Sequence, residues 1–321
     1  MRAVASAPEA KPFLKWVGGK RQLLPVLRTY YPAAVSGYHE PFLGSGAVFF
    51  DLWSSGRLAG CPVWLSDENP DLVGCFLRVR DATAAVITEL SRLAEGHARG
   101  GREFYYEVRD QHFNPRRAAW AADGGTPDAY PVDLAAALLY LNKTGYNGLF
   151  RLNQKGGYNV PAGRYARPRI VNPERLRAAA AALGAPGVSI ACRSFDRAAG
   201  QARPGDFVYF DPPYAPLGPT SNFRHYTARG FSDQDQARLQ ALAVGLAGRG
   251  VHVLLSNSSA DSIVRLYGEG AVRSAGLRMR RVPARRAINT RADRRGPVDE
   301  LVVSNLLPLT RAPGPIGGRL P

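Results

Sequence analysis

The sequence predicts an α/β fold in which a largely parallel sheet is interrupted by a mostly helical insert. Short apolar runs bounded by turn residues, 62–67 (PVWLSD), 187–192 (GVSIAC), 206–211 (DFVYFD) and 251–257 (VHVLLSN), read as buried strands. Between the last two lies SDQDQARLQALAVGLAG, where Ser232 with Asp235 makes a capping-box start and Leu239, Leu242, Ala243 and Leu246 share one face. A helix between two such strands points to parallel pairing. From about 75 to 185, helical patterns (LAAALLYLN, ERLRAAAAAL) flank a polar, aromatic, Gly-rich stretch, with no strong strand pattern. The chain therefore divides into a discontinuous unit, 11–74 with 186–310, and an insert of 75–185. Residues 1–10 and 311–321 are expected to be loose tails, and no internal repeat is visible.

Composition narrows the function. Of 321 residues 45% are hydrophobic, enough for a real core, and 42 basic against 26 acidic residues leave a net charge of +16. That balance suits a polyanionic partner, nucleic acid first. The plainer alternative is an Arg-biased composition, since only five of the basic residues are Lys. Cys61, Cys75 and Cys192 are too scattered for a disulfide framework or a metal site, and no metal is expected. The start, MRAVASAPEAKPFLKW, lacks the apolar core of a signal peptide, and no run reaches the roughly 18 apolar residues of a membrane span. A cytoplasmic protein with no membrane partner is the expectation. The sequence leaves the oligomeric state open, a monomer being compatible with it.

The first chemical motif is HEPFLGSGAVFFDLW at 39–53. Gly44 and Gly46 form a G-x-G turn into an apolar helix, as needed where backbone must turn sharply and admit a ligand. Such turns also merely join strands to helices. About 20 residues on, where doubly wound folds place a ribose-binding carboxylate, stands Asp67 of LSDENPDL. It could equally cap the next helix. Together the two favour a nucleoside cofactor, and Phe49 in place of the third Gly of G-x-G-x-x-G counts against NAD. VGGK at 17–20 is not a P-loop, because Leu14 and Arg21 occupy the positions of its first Gly and its Ser/Thr.

DFVYFDPPYAP at 206–216 is the most specific signal. Pro212 and Pro213 end the strand at the carboxyl edge of the sheet, where such folds bind ligands. The Asp211 carboxylate and Pro212 carbonyl are acceptors suited to the two protons of an NH₂ group. Donating both protons takes the amine out of conjugation and frees its lone pair. Tyr214 offers a face for a planar base taken out of a duplex. A strand-ending turn with a capping Asp is the structural alternative.

At these residues the chain resembles the Dam-type DNA adenine-N6 methyltransferases, in which a recognition insert separates the cofactor loop from DPPY. The likeness runs from Phe13 to about Pro308, through FLKWVGGK, EPFLGSGAVF, LSDENPDL, GYNGLFRLN…YNVPAGRY, DPPYAPL, FSDQDQ, LLSNS and ARRAIN…VDELVVSN. The resemblance implies a Rossmann-like methyltransferase sheet with an inserted, mostly helical DNA-recognition domain. It also implies S-adenosyl-L-methionine as cofactor and double-stranded DNA as partner. It places Trp16 and Lys20 at the methionine and adenosine end of the cofactor, Glu40 and the Gly44/Gly46 turn beneath it, and Asp67 on the ribose. Phe42 and Phe195 lie against the cofactor, and Asp211 touches both cofactor and target. No covalent intermediate and no metal are implied.

KTGYNGLFRLNQKGGYNVPAGRY at 143–165 mixes Arg, Lys and Asn with Tyr, Phe and Gly, the chemistry of a loop pressed against DNA; alone it could be an ordinary polar loop. The resemblance makes Tyr146 and Asn147 a wedge beside a flipped adenine and Arg151 a reader of guanine. Leu149 and Pro161 become apolar base contacts, and Asn153, Asn159 and Arg164 phosphate contacts. These positions match the GATC-reading branch. From Arg265 to Arg295 ten Arg stand against Glu269 and Asp293. A solvated basic face is the alternative to a phosphate grip there, with Arg285 and Arg286 of ARRAIN closest to DNA by resemblance. Two other readings compete: a methyltransferase acting on RNA or on protein glutamine, and an inactive DNA-binding protein. Asp211 and the wedge loop argue against the first, and intact Trp16, Lys20, Asp67 and Asp211 against the second.

Overall fold

The computed structural model describes residues 9–216, 230–285 and 297–309. Seven strands are built in chain order: β1 (Tyr38–Glu40), β2 (Val63–Asp67), β3 (Val188–Cys192), β4 (Phe207–Phe210), β5 (His252–Ser258), β6 (Arg278–Arg285) and β7 (Pro297–Ser304). They form one sheet in the order β3-β2-β1-β4-β5-β7-β6. The pairs β1–β2, β1–β4, β2–β3 and β4–β5 are parallel, and β7 runs antiparallel between β5 and β6. From β1 the chain winds outward to β2 and β3, then returns to β4 and winds the other way. The switch point therefore lies between β1 and β4, and crevices at the carboxyl ends of such strands bind ligands. The sheet and its helices are the α/β, Rossmann-like arrangement the sequence predicts.

The four expected strands fall within one or two residues of their anticipated limits. β1 is missed by pattern because three residues are too few to show an alternation. The β6–β7 pair is missed because Arg278, Arg280 and Arg281 break its apolar pattern. β6 is an edge strand, so exposed Arg also deters pairing with another chain, a structural use for part of the basic stretch.

The helices are α1 (Leu24–Leu27), α2 (Ala47–Ser54), α3 (Pro70–Asp81), α4 (Thr83–Glu107), α5 (Asn114–Ala122), α6 (Val132–Thr144), α7 (Pro173–Leu183), α8 (Phe195–Ala199), α9 (Asp233–Gly248), α10 (Asp261–Tyr267) and α11 (Gly270–Ser274). α9 starts with the expected reciprocal cap: the Asp235 N–H donates to Ser232 Oγ, and the Ser232 N–H to Asp235 Oδ2. At α3 the cap is Asn69, whose side chain accepts from the Asp71 and Leu72 N–H groups ahead of Pro70. Asp67 is thus released from the capping role. Gly101 (φ 51) kinks α4, and a π-helical turn, Val108–Phe113, joins it to α5.

One core cluster runs from Phe13, Phe50 and Phe76 through Leu138, Tyr140 and Tyr158 to Tyr209 and Val302; another packs Phe195, Leu239, Leu246, Val253 and Leu255 on the opposite face. The insert shares the first cluster with the sheet rather than having a core of its own. A boundary at 75 falls inside the continuous α3, and Ala10, assigned to a loose tail, is buried with its carbonyl accepting from Ser54 Oγ. The expected tails 1–8 and 311–321 lie outside the described residues. No helix among the described residues is long and apolar enough to cross a membrane.

Candidate active site and nucleic-acid interface

The switch point gathers the cofactor loop and the DPPY turn at one sheet edge. After β1 the chain turns through Gly44 (φ 49) and Gly46 (φ 68), the latter capping α2 in the left-handed region that favours glycine. A Cβ on Gly44 would come within 2.9 Å of the Trp16 ring. Asp67, at the end of β2, accepts from the Gly44 N–H through Oδ2 (3.0 Å) and from the Asn69 N–H through Oδ1 (3.0 Å). Each oxygen retains a lone pair, since a carboxylate oxygen accepts more than one bond. Burial pushes this carboxyl up to about 6, against the pull of its two N–H donors.

Glu40 lies beneath the loop, 2% exposed, its Oε2 accepting from Tyr38 O–H (2.7 Å) and from Phe49 N–H (2.9 Å) in the first turn of α2. Burial raises its carboxyl to about 8, and the charge of Asp211 pushes the same way. Glu40 therefore anchors the loop from inside.

Asp211 follows β4. Its Oδ1 receives the Lys20 ammonium (2.8 Å) and the Ser256 hydroxyl (3.0 Å), and Ser256 in turn faces the Tyr209 hydroxyl at 3.0 Å. Burial raises the Asp211 carboxyl above its ordinary value while Lys20 draws it back. Lys20, 4% exposed, also donates to the Gly18 carbonyl (2.8 Å) and sits 4.3 Å over the Tyr214 ring. The Tyr214 hydroxyl donates to Glu300 Oε2 (2.7 Å) from β7, fixing the ring plane. The Pro213 carbonyl accepts from Gln236 and the Ala215 carbonyl from Ser258. Among the described residues no donor meets the Pro212 carbonyl or Asp211 Oδ2. A tightly braced turn, with Asp211 half-buried and Pro212 buried, thus leaves two adjacent acceptors without a partner among the described residues.

Comparison with known proteins agrees with this geometry. The model of the D12 class N6 adenine-specific DNA methyltransferase matches residues 16–279. The chain belongs to that family. It is 35% identical to the type II methyltransferase M1.LlaDCHI of Lactococcus lactis subsp. cremoris, over 92% of this chain and 95% of that protein. It is 38% identical to the type II methyltransferase M.MjaIII of Methanocaldococcus jannaschii, over 92% and 99%. The DNA adenine methylase of Escherichia coli is 33% identical over 90% and 93%.

In this D12-class methyltransferase two of the three aromatic residues expected at the cofactor stack on each other. Phe42 and Phe195 lie 5.3 Å apart with rings 22° from parallel, Phe195 is 2% exposed, and Arg238 covers it at 5.2 Å. In this arrangement the Phe195 ring meets its own chain. Trp16 stacks on Phe150 of the insert, centroids 5.8 Å apart, so it touches both the cofactor loop and the recognition segment.

The recognition segment hangs on Asn142, whose amide pairs with the Lys15 backbone in both directions (2.8 Å each) and donates to the Gly148 carbonyl (2.9 Å). Next comes a tight turn in which Asn147 (φ 55) and Gly148 (φ 63) are both left-handed and the Leu149 N–H meets the Tyr146 carbonyl (3.2 Å). Positive φ at both central residues is the type I′ arrangement, for which Asn-Gly is the favoured pair. It lifts Tyr146, 39% exposed, to the surface. Leu149 is half-buried behind it, and exposed Pro161 accepts the Tyr146 N–H.

Residues 151–159 form a hairpin whose strands bridge at Leu152 and Tyr158. Arg151 at its base is exposed, with Nε donating to Asn159 Oδ1 (2.7 Å) and Nη2 to the Asn159 carbonyl (3.3 Å). Asn153 accepts the Lys155 and Gly157 N–H groups through Oδ1. Two of the expected phosphate ligands, Asn153 and Asn159, therefore also shape the loop and aim Arg151. Arg164 borders a cavity of about 500 Å³ lined also by Lys15, Lys143, Arg167, Arg169 and Arg175, with no carboxylate among its lining residues. The cavity is bordered by Lys143, Arg164 and Tyr165 at the two ends of the 143–165 segment, and no residue of the DPPY turn lines it. Arg286 lies outside the described residues, as does the side chain of Arg285 at the end of β6.

Sequence reading missed Asn142, Gln236, Ser256 and Glu300, the residues that brace the site. The signal for one was present: Ser256, with Asn257, ends an apolar strand with polar groups that must find partners if buried. Asn257 indeed donates to Gln236 (3.0 Å), which holds Pro213.

Proposed function

We propose that the protein transfers a methyl group from S-adenosyl-L-methionine to the N6 amine of adenine in double-stranded DNA, within GATC, after turning the adenine out of the helix. The observation that carries this reading is the pair of acceptors, Asp211 Oδ2 and the Pro212 carbonyl, left without a partner among the described residues in a turn whose Pro213 and Ala215 carbonyls are already bonded. An exocyclic NH₂ has two donors to match them. The Gly44 turn fits the cofactor, since a glycine there keeps the space beside Trp16 open, and Asp67 can accept the ribose hydroxyls alongside its backbone donors. When bound, the sulfonium supplies a methyl group already activated for displacement.

The chain's own residues do the rest. Asp211 and Pro212 orient the N6 protons and expose its lone pair to the methyl carbon. Lys20 favours the ionised form of Asp211 against burial, and Ser256 and Tyr209 hold its carboxylate plane. Tyr214, clamped by Glu300 with Lys20 on one face, offers the other to the adenine ring. The insert of about 75–185 carries recognition: Tyr146 and Asn147 fill the space left by the base, and Arg151 reads guanine. The chain acts on DNA in the cytoplasm.

The test is methyl transfer to duplexes carrying GATC and each single-base change outside the adenine, with 6-methyladenine measured directly. Methylation concentrated on GATC is expected. Product on cytosine, on RNA or on no duplex would overturn the reading, and equal rates on every duplex would overturn the GATC part alone.

A further inference from the structure

Buried Asp71 and half-buried Arg117 form an ion pair that neither cofactor binding nor base contact explains. Asp71, in the first turn of α3, is 1% exposed. Arg117, on α5 of the insert, donates from Nε to both its oxygens (2.9 and 3.0 Å) and from Nη2 to Oδ2 (2.8 Å), and Tyr130 O–H adds a bond to Oδ1 (3.2 Å). The remaining arm, Nη1, donates to the Gly156 carbonyl at 2.7 Å. Gly156 is in the turn of the reading hairpin. Among the described residues this is the one hydrogen bond reaching the 152–157 tip from outside the hairpin.

The other end of the pair leads to the cofactor acid. Asp67 holds the Asn69 N–H, and Asn69 Oδ1 accepts the N–H of Asp71. Hydrogen bonds and one short stretch of backbone thus join Asp67 to the hairpin tip. Burying an ion pair is a weak route to stability, because desolvation offsets most of the Coulomb attraction. What an Arg fork does deliver is fixed geometry on two partners at once.

We infer that Arg117 is a positioning residue for sequence recognition: it sets the reading hairpin in register with the adenine pocket. This rests on the hairpin being the DNA reader. A Lys can meet Asp71 or Gly156 as a point charge but cannot fork across both. Arg117→Lys should therefore loosen the tip while keeping the charge.

The experiment measures kcat/KM on the GATC duplex and its single-base variants, S-adenosyl-L-methionine affinity by calorimetry, and melting temperature. For Arg117→Lys the ratio between GATC and its variants should fall by about tenfold, the order expected when a bidentate base contact is misplaced. Cofactor affinity should stay unchanged. The double variant Asp71→Asn/Arg117→Leu removes both charges, so it should fold and show the same loss of discrimination. Unchanged discrimination in a folded variant, whatever its stability, would overturn the inference. A wild type that shows no preference among the duplexes would overturn the recognition reading itself, before any variant is compared.

Discussion

Burial disfavours charge on Asp211, and the site opposes it with a buried ammonium at 2.8 Å and a hydroxyl on the same oxygen. Removal of Asp211 should leave the turn in place, because the turn is held separately through Pro213 and Ala215. Asp211→Ala should lower methyl transfer by at least about 10²-fold, the scale of losing one polar contact to the reacting group. Duplex binding, measured by filter retention, should stay near wild type; near-normal turnover would exclude the amine-clamp role. Glu40 gives a second test at this scale. Its folded carboxyl titrates at about 8 against an ordinary 4.5, so the folded chain keeps a proton that the unfolded chain releases between those values. Stability from this group is present in acid and declines as pH rises through about 8. Asp67 acts with the same sign, but only up to about 6. Between about pH 6 and 8 the melting temperature should therefore fall, and Glu40→Gln should flatten that fall; an identical slope in the variant would show that Glu40 is ionised in the fold.

Elements differ in how plainly the sequence announces them. The capping box of α9 uses neighbours three residues apart, and it is legible for that reason. The cap of α3 is not: Asp67 and Asn69 are both competent, and only the fold shows that Asp67 is drawn to Gly44 across the sheet edge. The same holds for Glu300, which meets Tyr214 from 86 residues away. Motifs place the reacting groups, but long-range braces depend on packing that no local pattern contains. The 151–159 hairpin shows the difference within one element. Its Asn and Gly mark a turn, whereas the alignment of Arg151 by Asn159 follows from strand pairing. That alignment sharpens a prediction. Arg151→Ala should cost about 1–3 kcal/mol of discrimination at one base pair, the worth of a bidentate contact. It should leave transfer to the adenine possible. Equal kcat/KM ratios between GATC and its variants in wild type and Arg151→Ala would remove Arg151 as a base reader.

At the scale of the whole molecule the net charge of +16 has a direction as well as a size. Arg164, Arg167 and Arg169 are exposed and border a cavity whose lining holds no carboxylate to neutralise them. A surface of this kind is stabilised by an external anion, and a DNA backbone delivers one at every nucleotide. Each phosphate neutralised releases condensed counterions, so log affinity should fall linearly with log salt, by about 0.9 for each contact. With Lys155 these three Arg alone predict a slope of about −3 to −4, steeper if the stretch around Arg285 and Arg286 also reaches DNA. Arg167→Ala with Arg169→Ala should reduce the slope by about two units and weaken every duplex alike. Discrimination between GATC and its variants should not change, the reverse of the Arg151 result. Titrations of one duplex between low and physiological salt decide the matter. An affinity that stays flat would mean that the charge serves solubility or edge protection of β6, and a slope unmoved by the double variant would place the phosphate grip elsewhere on the surface.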